Sequence, residues 1–530
     1  MTVLLRARAD ITLDAFYRVA WRGEEVRFDA EALARMTACR EAFLGLLESD
    51  DSLVIYGVTS GYGQMARLRF SPEERKRHAR RPPHAAAASF GEPLPERVAR
   101  GIVLARLANF VEGHAAISPA LAEAVAGLLG GAKLAPVPAL GNGCPGEIMA
   151  LAHLFGPLAD SFELAEKDSL SLVNGSPCAA ALIADAVLAA RRRLGLAVEV
   201  FALSAEAFKA PLEAYDPALD ALWEDRHEAA VLRELRAWLE GGEGIARRSY
   251  QAPVSWRILP RVLGQARRAL GQAEEIAAIS LRAVSDNPVF IPPDPANPRG
   301  RVLSNGGYHN AKAYPALDNL AAAWADLALL CDRQVTKMLD GEISHLPDQL
   351  RDGDGYLGGL GFAAVAYAEQ ARHAAQRTFL PGSEGGGFGQ NDVAVPTFPA
   401  WRKEAEAGRC LDANLALLGA VASQALHVTG REAPARLRPL VEELREVFPP
   451  VTGRRPPGPD AARLQDRLTA KVFAGADIDA DAVPQTWGYK KGVAVPDAED
   501  HGATGGLCDK TNLALEVVGP CLVTYGQSIF

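Results

Sequence analysis

A phenol and a thiol stand in short segments marked by glycine and proline, and each has a definite chemistry. Tyr56 lies in YGVTSGYG (56–63), within a β-branched alternating run, SLVIYGVT (52–59), that predicts a short strand opening into a glycine loop. A tyrosine ionises at about pH 10 and acts as a base only where positive charge or helix N-termini draw that value down. The plainer reading is a turn that links strand to loop. Cys144 lies in GNGCPGEIMALAHL (141–154), whose GCPG reads by composition as a tight turn entering a helix. A thiol at a helix N-terminus is acidified and becomes a usable nucleophile; otherwise Cys144 is a small buried filler beside Pro145. Taken alone, Asn174 in SLVNGSPCAAA (171–181) is an N-cap or turn residue, and Arg257 in QAPVSWRILP (251–260) is a solvated surface cation.

The elements that must position these residues are mostly helical. LPERVARGIVLARLANFVEG has apolar residues at three-to-four spacing, and SPALAEAVAGLLGG places Ser118 as N-cap with Pro119 behind it. Two central patterns are long. Residues 258–284 put Leu263, Ala266, Leu270, Ala273 and Ile276 on one stripe, and 313–340 put Leu317, Leu320, Trp324, Leu327 and Cys331 on another. At 1.5 Å per residue each runs roughly 40 Å. Further helices are expected over 361–379 and 408–428. Alanine-rich helices of this length predict a bundle at the structural centre, with faces apolar enough for an oligomer. Residues 449–462, PPVTGRRPPGPDAA, read as a proline-rich connector.

A chain of 530 residues with 48% hydrophobic residues can bury a large core, and its length predicts two to four domains. A net charge of −9 argues against nucleic acid or an anionic membrane surface as the main partner. The cysteines at 39, 144, 178, 331, 410, 508 and 521 are odd in number, scattered and without a C-x-x-C pair. That pattern predicts reduced thiols in the cytoplasm, with no disulfide framework and no zinc site. The N-terminal residues MTVLLRARADITLDAF have no signal-peptide pattern, so a cytoplasmic protein is expected.

In order and in approximate spacing, the segments resemble those of the histidine and aromatic amino-acid ammonia-lyases. YGVTSGYG is similar to Tyr-Gly-x-x-Thr-Gly-Phe-Gly, with Tyr56 and the glycines at 57, 61 and 63 matching. SLVNGSPC is similar to Leu-x-Asn-Gly-Thr, and QAPVSWR to Gln-Asp-x-Tyr-Ser-x-Arg. RAVSDNPVF (282–290) matches a Ser-Asp-Asn-Pro turn, SNGGYHNA (304–311) a Gly-Gly-Asn-Phe-His stretch, and GFGQNDVAVP (387–396) a Gln-Glu-Asp or Asn-Gln-Asp segment. The resemblance implies a mainly α, fumarase/aspartase-type fold with a central long-helix bundle and a smaller mixed N-terminal domain. The expected division is an N-terminal domain over 1–200, the bundle over 201–448 and a C-terminal segment over 449–530. It also implies a homotetramer whose pockets combine residues of three subunits, acting on a small carboxylate. Tyr56 takes the place of the catalytic base, Asn174 and Arg257 those of the carboxylate-binding pair, and Tyr308 and Asn391 line the pocket. Pro83-His84 stands where histidine lyases have Ser-His, so His84 faces a polar or heteroaromatic ring or else solvent.

The departures bear on the reaction. In this family Ala-Ser-Gly cyclises into methylideneimidazolone, an electrophile that captures the substrate; here the aligned tripeptide is Cys144-Pro145-Gly146. Pro145 has no β-hydroxyl to lose, and its side chain is tied to its own nitrogen. Reading the frame as Gly143-Cys144-Pro145 makes proline's hydrogen-free nitrogen the attacker. The prosthetic group is therefore expected to be absent. Val254 replaces a tyrosine near the cofactor, Asn391 replaces a glutamate of histidine lyases, and the interval from His153 to Asn174 is about twenty residues shorter than the family's. Ala503-Thr504-Gly505 has a cofactor-forming composition but reads as a flexible loop. The sequence thus points to cofactor-free elimination, addition or isomerisation of a small, aromatic or unsaturated carboxylate, with Tyr56 as acid or base. Two alternatives stand beside it: a Cys144-nucleophile hydrolase, acyl-transfer or cyclising enzyme, and a pseudoenzyme that binds a ligand or partner.

Overall fold

Helices dominate because the apolar positions recur at helical spacing while glycine and proline fall between the segments. The computed structural model describes residues 2–475 apart from 132, 243–245, 384–388 and 390. The longer helices are α1 (Ala30–Ser49), α2 (Pro72–Ala79), α3 (Glu96–Leu107), α4 (Pro119–Gly127), α5 (Ile148–Ala159), α6 (Pro177–Ala207), α7 (Arg226–Leu239), α8 (Leu259–Arg282), α9 (Ala313–Leu339), α10 (Gly359–Ala374), α11 (Thr397–Val428), α12 (Arg438–Val447) and α13 (Gly458–Val472). Short helical turns and two small sheets accompany them. β1 (Thr2–Leu5) pairs in parallel with β2 (Glu25–Phe28), and β3 (Val289–Ile291) pairs antiparallel with β4 (Arg301–Leu303).

The long helices α6, α8, α9, α10 and α11 pack on one another as a bundle. The two predicted stripes face its interior: Leu263, Ala266, Leu270 and Ala273 of α8 are buried, as are Leu317, Leu320, Trp324, Leu327 and Cys331 of α9. Alanine allows the close approach, since a short side chain brings helix axes together without a void. By length and composition the stretch 168–207, which ends in α6, could cross a membrane, but its most apolar window is buried within the protein, the signature of a core helix. A second, smaller core of Cys39, Phe43, Leu47, Ile55, Val58, Ala116 and Phe290 lies at the root of the Tyr56 loop.

Four local expectations change. The boundary at residue 200 falls inside α6, which runs unbroken from 177 to 207, and one apolar core takes in residues from Val3 to Val472. Residues 52–59 form turns rather than a strand: Thr59 Oγ1 accepts from the Ile55 amide at 2.8 Å and donates to the Leu53 carbonyl at 2.7 Å, satisfying backbone that a strand would pair. Ser118 stands at the N-cap of α4 as expected, but its hydroxyl donates to Asp168 at 2.5 Å instead of accepting from the helix amides. The proline-rich connector ends at α13, which packs on α11 and α6. Residues 503–505 and the stretch after about 480 lie outside the described residues.

Candidate functional site

Three of the motif segments are held together by one buried polar network. Asn109 in the loop after α3 accepts from the Ser285 amide at 2.7 Å and the Asp286 amide at 3.2 Å. Ser285 Oγ accepts from the Ser176 amide at 3.0 Å, and Asn174 Nδ2 donates to the Asn287 carbonyl at 2.6 Å. Asn287 Oδ1 in turn accepts from the Asn305 amide at 2.8 Å, which fixes the start of the SNGGYHNA segment. Beneath them Lys167 Nζ meets Asp286 at 2.6 Å with both side chains fully buried, and burial pulls the lysine's proton affinity down. Arg106, also fully buried, donates to the Ser171 carbonyl at 2.8 Å and to the Asn174 carbonyl. Gly175, at φ +125°, is required here, because a Cβ would meet Arg106 Nη2 and lie 2.9 Å from Ser285 Oγ. Breaking any member would leave a buried charge or amide without its partner.

On this frame sits the Cys144 turn. Gly146 has φ +66°, and a Cβ there would touch the Tyr308 side chain at 3.5 Å and the Gly175 carbonyl at 3.7 Å. The Cys144 carbonyl accepts from the Val395 amide at 3.2 Å, which ties the segment containing Asn391 to the turn. The amides of Ile148 and Met149, at the start of α5, point at Cys144 Sγ. The thiol nevertheless moves opposite to expectation: burial pushes it up, and Glu147 adds to the rise, so the helix N-terminus does not prevail. Glu147 is fully buried and accepts from the Cys178 amide and, at 2.7 Å, from the Ala179 amide, which caps α6. Burial outweighs these bonds and nearby Arg106, and its carboxyl is pushed up to about 7.

Tyr56 belongs to the same neighbourhood. Its phenolic oxygen accepts from the Gly63 amide at 3.0 Å, and Asn391 Nδ2 would lie 3.5 Å from a Cβ on Gly63. Burial raises the phenol above its ordinary value, and the neighbouring Tyr308 and Tyr62 raise it further. The positive charge that would make a resting base is not among the causes. At neutral pH Tyr56 is therefore a protonated phenol, a donor in the resting state.

Two predicted residues lie elsewhere. His84 Nε2 pairs with Asp160 at 2.7 Å, and its ring lies against Gly156, 3.1 Å from where a Cβ would be. Those contacts are at Gly156 in the second half of α5 and at Asp160 just past its end, roughly 12 to 18 Å along the helix from its start at 1.5 Å per residue, and both side chains of the pair are half exposed. Arg257 ends the short helix Val254–Arg257, and its Nε donates to the Ala252 carbonyl at 2.9 Å; Val254 beside it is exposed. Sequence reasoning missed Glu147, Arg106, Lys167 and Asn109. Only Glu147 had a local signal, its place directly after the turn. The others are charged or polar residues in helix or loop patterns whose burial no local pattern reveals.

The chain is similar over most of its length to proteins of known kind. The family described as aromatic amino acid lyase matches residues 11–162 and 159–448. Histidine ammonia-lyase of Deinococcus radiodurans is 27% identical over 516 residues, covering 89% of this chain and 96% of the relative. That of Symbiobacterium thermophilum is 28% identical over 511 residues, covering 90% and 98%. Tyrosine aminomutase from Streptomyces globisporus has a TM-score of 0.77 at 24% identity, over 90% of this chain and 98% of that one. Ergothionase from Treponema denticola, an ergothioneine degrading enzyme, has a TM-score of 0.80 at 18% identity, over 89% and 100%. At these identities the two structures speak for the fold alone.

Proposed function

Since the chain belongs to the aromatic amino acid lyase family, we propose that it is a lyase- or isomerase-type enzyme of that family that works without methylideneimidazolone on a small carboxylate. The observation that carries this reading is the residue set at the turn. Pro145 cannot be dehydrated, so Cys144-Pro145-Gly146 does not fit the prosthetic group, while Tyr308 lies between Gly146 of that turn and Tyr56, Val395 bonds the Cys144 carbonyl, and Asn391 stands beside Gly63 of the Tyr56 loop. The substrate is then one whose leaving group departs without electrophilic capture, and ordinary deamination of histidine or an aromatic amino acid is not the reaction.

Tyr56, protonated at rest, gives its proton to the leaving atom as that bond breaks, and the tyrosinate so formed takes the proton lost from the adjacent carbon, which restores the phenol. Amides at the start of α5 offer partial positive charge to an enolate-like intermediate. Arg257, on a separate part of the chain, holds the substrate carboxylate from a neighbouring subunit of a homotetramer. One N–H of Asn174 is committed to the Asn287 carbonyl, and its second N–H is the donor left for the substrate carboxylate. The raised thiol of Cys144 speaks against a nucleophilic cysteine. The test is Tyr56→Phe assayed against a panel of aromatic and unsaturated acids, amino acids and betaines. Loss of turnover by two or more orders of magnitude with an unchanged fold is expected; full activity on a turned-over acid overturns the mechanism. Intact tetramers that turn over nothing in the panel but bind a partner protein would favour the pseudoenzyme.

A further inference from the structure

The loop that carries Tyr56 is closed on itself. The Gly63 amide donates to the Tyr56 phenol at 3.0 Å, the Phe70 amide to the Thr59 carbonyl at 3.0 Å, and the Gly61 amide to the Leu68 carbonyl at 3.3 Å. Self-closure gives the loop a shape but does not fix where that shape sits. One side chain from outside it touches both of its arms. His78, in the last turn of α2, has its ring centre 5.0 Å from that of Tyr62 and 4.7 Å from that of Phe70, and the backbone of Gly57, the residue after Tyr56, lies close enough to its ring to favour the protonated nitrogen. On the opposite side Gly57 presses on Leu170, which a Cβ would approach to 2.7 Å. The loop is thus held between α2 and the short helix Asp168–Val173.

The helix that presents His78 is built to stay formed. Ser71 Oγ accepts from the Glu74 amide at 3.3 Å and Glu74 returns a bond to the Ser71 amide at 2.9 Å, a capping box with Pro72 behind it. Burial and the neighbouring Arg81 both lower the proton affinity of His78. At neutral pH the ring is uncharged, so it supplies one donor and two aromatic contacts without setting a cation beside the phenol.

We propose that His78 is a positioning residue that clamps the 56–70 loop and keeps the Tyr56 phenol beside Tyr308. The catalytic consequence rests on the proposed role of Tyr56; the clamp itself does not. The experiment uses the full chain as wild type, His78→Ala, His78→Phe and His78→Gln, with hydrogen exchange of peptides covering 56–70 read by mass spectrometry. In parallel, 3-fluorotyrosine-labelled protein is titrated, the Tyr56 resonance being the one missing in Tyr56→Phe. His78→Ala is expected to exchange these amides at least tenfold faster and to shift the Tyr56 midpoint down toward that of the exposed tyrosines. His78→Gln, which keeps a donor, should retain more protection than His78→Phe. Wild-type exchange and an unmoved Tyr56 midpoint in His78→Ala overturn the proposal. Should that variant fail to fold, equal exchange in the Phe and Gln variants overturns it instead. None of these readouts requires a substrate, so they stand or fall apart from the activity of Tyr56→Phe.

Discussion

At the scale of single residues, burial decides against two intuitions about charge. A cysteine at the start of a helix is expected to be acidic, yet Cys144 is raised because desolvation exceeds the pull of two amides, and Glu147 opposes ionisation further. The expected outcome is that iodoacetamide at pH 7.5 leaves Cys144 unmodified in the folded protein and labels it after denaturation, as mass spectrometry of the 141–154 peptide will read. Rapid labelling of the native state would return the nucleophile to contention. Tyr56 obeys the same rule. Ringed by Tyr62, Tyr308 and apolar surface, it keeps its proton at neutral pH. A phenol of this kind suits a reaction in which a leaving group or carbanion is protonated.

At the scale of elements, the Cys144 turn and α5 are coupled to the start of α6 through Glu147. Its carboxyl is protonated up to about pH 7 when folded and to about 4.5 when unfolded. Below 4.5 both states hold the proton and the buried, neutral form stabilises fully. As pH rises from 4.5 through 7 the unfolded state releases the proton first, so stability is lost across that window. The difference between wild type and Glu147→Gln should therefore shift in favour of the variant by on the order of 3 kcal/mol between pH 4.5 and 7.5, measured by denaturant unfolding at each pH. A constant difference would mean that Glu147 ionises normally. Gly175 is the second hinge point of this frame. Gly175→Ala must adopt φ +125° and push against Arg106 and Ser285, and a loss of about 2 kcal/mol or more is expected in the same unfolding assay. Ala in place of Gly195, where a Cβ meets nothing within 4 Å, is the control.

At the scale of the whole molecule, two predictions follow from a proline at position 145 and an arginine placed apart. Intact mass should equal the translated chain, without the loss of two waters that ring formation entails, and no near-ultraviolet band of the heterocycle should appear. If Arg257 serves a neighbour's site, tetramers reassembled from Tyr56→Phe and Arg257→Ala subunits should recover up to roughly a quarter of wild-type activity where each alone has almost none. Failure to recover any, with mixed tetramers confirmed by native mass spectrometry, would place both residues in one subunit's site.

What the sequence determined by itself are the features written locally. The stripes of α8 and α9 show in the spacing of leucine and alanine, and the motif segments show in order because each is a turn with its own glycine, asparagine or proline chemistry. The incompatibility of Pro145 with cyclisation is covalent and needs no fold. Only the tertiary structure decided where burial falls. It turned Arg106, Lys167 and Asp286 from plausible surface charges into a buried frame, set His84 against Gly156 rather than the Cys144 turn, and brought His78 to the Tyr56 loop from a helix whose sequence, PEERKRHA, reads as solvated. The reason is physical: a spacing rule sees neighbours along the chain, whereas desolvation, and with it the proton affinity of Tyr56, Cys144 and Glu147, is set by what the fold packs around each group, such as Tyr308 beside Tyr56 and Arg106 near Glu147.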